Sequence, residues 1–160
     1  MSVFSMSRAH DRIAFDELVN AAASIERNKL HRHELWLLSC YVEPEVVRQL
    51  IAELDQRIKL SEVYLAFDMS ELYRIGPRKV RRAMGGLQSS CTQRGVHFEW
   101  NVLAANGEKG LRGLVHSKGV AVLQRIDGKI SNGALLIGSA NLTRPGWKEG
   151  SNIELGYLTT

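Results

Sequence analysis

A chain of 160 residues that is 44% hydrophobic and 24% charged carries enough apolar side chain to bury a core, which excludes an intrinsically disordered segment. Its formal charge of +4 is a modest basic bias, suited to an anionic partner but far from a polybasic tail. The first eleven residues lack an apolar signal core and no apolar run is long enough to span a bilayer, so a cytoplasmic protein is expected, with one domain over 1–160 that could also open a longer protein.

The elements alternate in the manner of an α/β protein. Ile13, Phe15, Leu18 and Val19 approximate helical spacing and predict an amphipathic helix over 8–27. Leu35 to Val42 is a nearly unbroken apolar run, a central strand within 34–42. Glu43-Pro44 opens a helix reaching about Lys59, with Val46, Val47, Leu50, Ile51 and Leu54 on its apolar side. Strands are expected over 62–69 and 96–103, and a helix over 78–94 that Gly85-Gly86 interrupts. A loop rich in glycine and charge follows over 104–113. Strands are then expected over 114–123, 134–139 and 152–157, with Asp127-Gly128-Lys129 turning the chain between the first two. Cys40 and Cys91 lack metal-ligand spacing and read as reduced structural thiols.

Chemistry gathers on these last strands. In the run from Leu114 to Leu123, a period of two puts His116 and Lys118 on one face. The returning strand ends in Gly138-Ser139-Ala140-Asn141, and the last one carries Asn152-Ile153-Glu154. A phosphodiester is anionic and resists attack, so its catalyst must neutralise non-bridging oxygens and supply a nucleophile that is uncharged near neutral pH. An imidazole meets the second need, and a carboxylate at its Nδ1 side fixes the tautomer that presents Nε2. Glu154 is the candidate for that orientation, with Lys118, Asn141 and the Ser139 hydroxyl as phosphoryl ligands. The scheme calls for no metal and no cofactor.

His-x-Lys, Gly-Ser-x-Asn and a downstream Asn-x-Glu resemble the signature of the phospholipase D superfamily, and most closely its nuclease and restriction-endonuclease branch. The resemblance implies a phospholipase D-like domain with a central mixed β-sheet flanked by helices. It also implies a phosphohistidine mechanism in which one histidine attacks phosphorus and a second protonates the leaving oxygen. The family often places an aspartate five positions after the lysine, where this chain has Leu123. One copy of the motif is present, and His10, His31, His33 and His97 do not rebuild a second. The second His116 is therefore expected from another subunit of a homodimer.

Basic residues supply the partner. Arg74, Arg78, Lys79, Arg81 and Arg82 cluster after a strand, and Arg27, Lys29 and Arg32 form a smaller group. Such clusters hold backbone phosphates by counterion release, without reading sequence. Lys109 and Arg112, just before the His116 strand, are expected to contact substrate. The expected function is metal-independent cleavage of DNA, with RNA as a further substrate and no membrane partner. A non-catalytic DNA-binding or assembly subunit and a phospholipid phosphodiesterase stand as alternatives.

Overall fold

The computed structural model describes residues 2–6, 18, 20–21, 31–106, 112–113, 118–138, 141–143 and 154–159. Seven strands of these residues form one mixed sheet: β1 (Ser2–Met6), β2 (Arg32–Ser39), β3 (Glu62–Asp68), β4 (His97–Leu103), then β7 (Gly119–Ile126), β8 (Lys129–Gly138) and β9 (Glu154–Thr159). Two residues each of β5 (Ala105–Asn106) and β6 (Arg112–Gly113) pair separately. The spatial order is β1-β9-β8-β7-β2-β3-β4. β2, β3 and β4 run parallel, and every other neighbour is antiparallel.

The parallel half comes from two crossovers. Between β2 and β3 lies α1 (Pro44–Ile58), which has proline in its first turn, Glu45 near its positive end and Arg57 near its negative end. Val46, Val47, Leu50, Ile51, Leu54 and Ile58 form its buried stripe. Lys59 closes it in the left-handed conformation at φ 59°, its N–H donating to Asp55 O. Between β3 and β4 lie α2 (Ser70–Ile75) and α3 (Pro77–Gln93), the latter burying Val80, Met84, Leu87 and Cys91. Leu35 and Leu37 of β2, Val63, Leu65 and Phe67 of β3 and Phe98 of β4 join these helices in one core. The other face of the sheet leaves Trp36, Leu135 and Ile137 exposed at 42%, 36% and 50%.

The antiparallel half is a long hairpin. Asp127 and Gly128 take φ 50° and 76°, the two positive values that a type I′ turn demands, so Ile126 faces Lys129. A register shift at Gln124/Arg125 adds twist farther along. Gly133 is required there, because a Cβ would meet Val122 O at 2.8 Å and Leu123 Cδ2 at 3.0 Å.

Several expectations change. α3 runs unbroken through Gly85 and Gly86, since both lie on its exposed side and the buried stripe on the opposite side holds the helix together. β2 stops at Ser39 instead of reaching Val42, which makes an isolated parallel bridge to Leu142. α2 was not anticipated, nor was the pairing of β1 with β9. β7 reaches Ile126 and β8 begins at Lys129, so the hairpin ladder runs closer to its turn than expected. Of the helix expected over 8–27, Leu18, Asn20 and Ala21 are described and helical, with Leu18 fully buried. The rest of that helix, together with residues 114–117 and Asn152-Ile153, lies outside the described residues. No helix among the described residues is long and apolar enough to cross a membrane.

Candidate active site

The strand directions define one end of the sheet. β2 and β3 finish there at Ser39 and Asp68, and β7, antiparallel to β2, begins there, with Leu38 opposite Gly119. α3 connects parallel neighbours, so it must run back along them and its first turn lies at this same end. Ligand sites in open sheets with parallel strands form beyond the carboxyl ends of those strands.

Lys118 precedes β7 at this end, with only 9% of its surface exposed. Its carbonyl accepts from Gly138 N at 3.3 Å, so the lysine of one motif and the glycine of the next are joined across the hairpin. Cys40 lies fully buried nearby. Burial pushes its thiol pKa up, Asp68 adds to the rise, and Lys118 opposes it.

Asn141 is fastened to the end of β2. Its Oδ1 accepts from Tyr41 N at 3.1 Å and lies 3.4 Å from Ser39 Oγ. Leu142, the next residue, donates its N–H to Ser39 Oγ at 3.0 Å and accepts from Glu43 N at 2.7 Å. Glu71 stiffens the same loop: nearly fully buried, it accepts from Val42 N at 2.6 Å and from Arg74 Nε and Nη2 at 2.7 and 3.0 Å. The Arg74 guanidinium also lies 5.7 Å from the Tyr41 ring centroid, and its pKa is raised, first by its hydrogen bonds to Glu71.

Of the residues anticipated from sequence, the structure brings Lys118 and Asn141 to this end. Glu154 opens β9, whose Gly156 faces Gly138, so its backbone lies just past the end of the β8 ladder. His116, Ser139 and Lys109 lie outside the described residues. Arg112 pairs with Asn106 in the small ladder. Arg78, Lys79, Arg81 and Arg82 are all exposed in the first turns of α3, where no acidic residue accompanies them. Arg32 is instead at the far end of β2, 3.7 Å from Glu62; Arg27 and Lys29 lie outside the described residues. Ser39, Tyr41, Asp68 and Glu71 were not anticipated. A polar residue closing an apolar strand, as Ser39 does, was the one available signal.

Two surroundings complete the site. An apolar groove of about 500 Å³ leads from Lys118 across the open sheet face between Leu38, Ala121, Leu135 and Ile137. His31 and His33 lie at the opposite end of β2, against Gln124, and His97 opens β4 at that same far end. At ~3.3 Å per residue, the six residues from Lys118 to Gln124 separate the two ends by roughly 20 Å. Among the described residues no group of three or more His, Cys, Asp or Glu is arranged to hold a metal ion.

No protein-family model and no curated protein sequence matches the chain. Among solved structures it is similar to NucT from Helicobacter pylori, with a TM-score of 0.58 and 16% identity over 98% of this chain and 82% of that one. At that identity the likeness shows the fold alone: the two share an α/β architecture with a mixed sheet and flanking helices.

Proposed function

We propose that this chain is a phospholipase D-like nuclease domain that cleaves DNA without a divalent metal, through a covalent intermediate on His116 and with a site completed by a second copy of the chain. The observation that carries the reading is the placement of Lys118 and Asn141 at one end of the sheet, the carboxyl end of β2 and β3, where α3 also displays four exposed cations. Cations at a helix N-terminus oppose the helix dipole, so their presence there costs stability and favours a polyanion. The fold shared with NucT, a phospholipase D-like nuclease, agrees with it.

In this mechanism the Nε2 lone pair of His116 attacks phosphorus, a P–N bond forms and the P–O bond to the leaving strand breaks. His116 of the partner subunit gives its proton to the departing oxygen. That same imidazole then takes a proton from water, whose oxygen attacks phosphorus and releases His116. Lys118, the Asn141 amide NH₂ and the Ser139 hydroxyl hold the phosphoryl oxygens, and Glu154 holds the His116 Nδ1–H. His31, His33 and His97 lie at the far end and His10 lies outside the described residues, so the second imidazole is assigned to a second subunit on the single copy of the motif. An end-labelled oligonucleotide quenched in alkali tests the covalent step, because a phosphohistidine survives base and breaks in acid. Wild type should show an alkali-stable, acid-labile adduct that His116→Ala lacks; efficient cleavage with no adduct would contradict the reading.

The apolar groove beside Lys118 favours a second reading, a phospholipid phosphodiesterase whose acyl chain would lie between Leu38 and Ile137. It ranks lower because the exposed residues of α3 at this end are cationic rather than apolar. Turnover of phosphatidylcholine vesicles above that of DNA would reverse the order.

A further inference from the structure

We propose that the end of β2, through the Ser39 side chain and the Tyr41 amide, is the positioning element for Asn141. It grips the asparagine's side-chain oxygen so that its NH₂ alone is presented to phosphate. The proposal rests on the phosphodiesterase reading and extends it to residues outside the motif.

The donor inventory decides the orientation. Tyr41 N–H can only donate, so the Asn141 atom 3.1 Å from it must be the carbonyl oxygen, and the amide NH₂ leaves from the other branch of the planar group. Ser39 is fully buried and has one hydroxyl proton. That proton goes to Tyr41 O at 2.6 Å, while the Ser39 oxygen accepts from Leu142 N at 3.0 Å. One hydroxyl thus shapes the loop that presents Tyr41 N–H and fixes the backbone immediately after Asn141. Glu43 N to Leu142 O at 2.7 Å and the Val42–Leu142 bridge hold the same two segments, which lie about one hundred residues apart in sequence. Asn141 is therefore anchored through both its main chain and its side-chain oxygen before any substrate arrives. Preorganised donors of this kind are what stabilise developing phosphoryl charge.

Ser39→Ala should lower the single-turnover cleavage rate by about 10- to 100-fold with little change in substrate affinity, as expected for a misplaced ligand. In an Asn141→Ala background the same change should cost less than about twofold, because the group it positions is gone. An undiminished rate in Ser39→Ala, or a loss that multiplies fully onto Asn141→Ala, would overturn the proposal. Should Ser39→Ala not fold, Asn141→Asp carries the test. Its carboxylate still accepts from Tyr41 N–H but offers no donor, so it should melt close to wild type and cleave no faster than Asn141→Ala. Melting as low as Asn141→Ala would overturn the grip on the oxygen. If wild type cleaves no phosphodiester, the functional reading fails by itself. Positioning is then read from the ¹⁵N-labelled Asn141 side-chain amide by NMR relaxation: it should be ordered in wild type and clearly more mobile in Ser39→Ala, and an unchanged order parameter would overturn the proposal.

Discussion

On the proposed reading Lys118, only 9% exposed, is a phosphoryl ligand, so its role is tested by removing its ammonium group while keeping its bulk. Lys118→Met keeps the length of the side chain and removes the charge. It should fold normally and lose at least ~100-fold in cleavage rate, as removal of a single charge-stabilising donor does in other sites. Single-turnover kinetics beside a melting curve checks both halves, and an unchanged rate would remove Lys118 from the site. Glu71 is the structural counterpart. Its carboxylate takes three hydrogen bonds from Val42 and Arg74 while nearly fully buried, so Glu71→Ala should cost about 1–3 kcal/mol by stranding Val42 N–H. Denaturant titration measures that, and a cost near zero would mean water replaces the carboxylate.

At the scale of elements, α3 carries two glycines that its structure does not need. A Cβ at Gly85 or Gly86 would meet no atom within 4 Å, and neither has a positive φ. Gly85→Ala and Gly86→Ala should each stabilise the protein by about 0.5–1 kcal/mol, visible as raised melting temperatures. A loss of stability would show that the helix needs a break there after all. On the buried side of the same helix, Cys91 has its thiol pKa pushed up to about 11, with burial as the main cause. The unfolded thiol ionises near pH 8.5. The folded state thus holds its proton more tightly, so the contribution of Cys91 is intact below about pH 8.5 and fades as pH rises towards 11, by about 1.4 kcal/mol per unit. Cys91→Ala should flatten that alkaline slope while lowering stability at neutral pH. An identical slope in the variant would assign the titration elsewhere.

Over the whole molecule, what sequence makes legible is local. Period-two alternation and the Asp127-Gly128 turn are enough to set β7 beside β8; the register that puts Gly138 N against Lys118 O comes from the structure. The apolar stripe from Val46 to Leu54 is enough for α1. The six residues of α2 are too short to show a helical period, and the pairing of β1 with β9 joins segments at opposite ends of the chain. The fastening of Asn141 to Tyr41, and of Leu142 to Ser39, is illegible for the same reason, being contact between distant segments through side-chain oxygens rather than apolar pattern. The cationic turn of α3 also acts at this scale. Replacing Arg78, Lys79, Arg81 and Arg82 by glutamine should weaken DNA binding and shallow its salt dependence, by up to about 0.9 for each phosphate of duplex DNA no longer neutralised, without altering the chemical step. An unchanged salt slope would leave those cations without a role in binding.

The central claim, metal-independent phosphodiester cleavage by His116, is tested most directly by incubating plasmid, single-stranded DNA and RNA with wild type and His116→Ala in excess chelator. Wild type should cleave at least one of the three in chelator, and His116→Ala none. Cleavage by wild type that disappears in chelator and returns with Mg²⁺, or equal cleavage by the two proteins, would contradict the account.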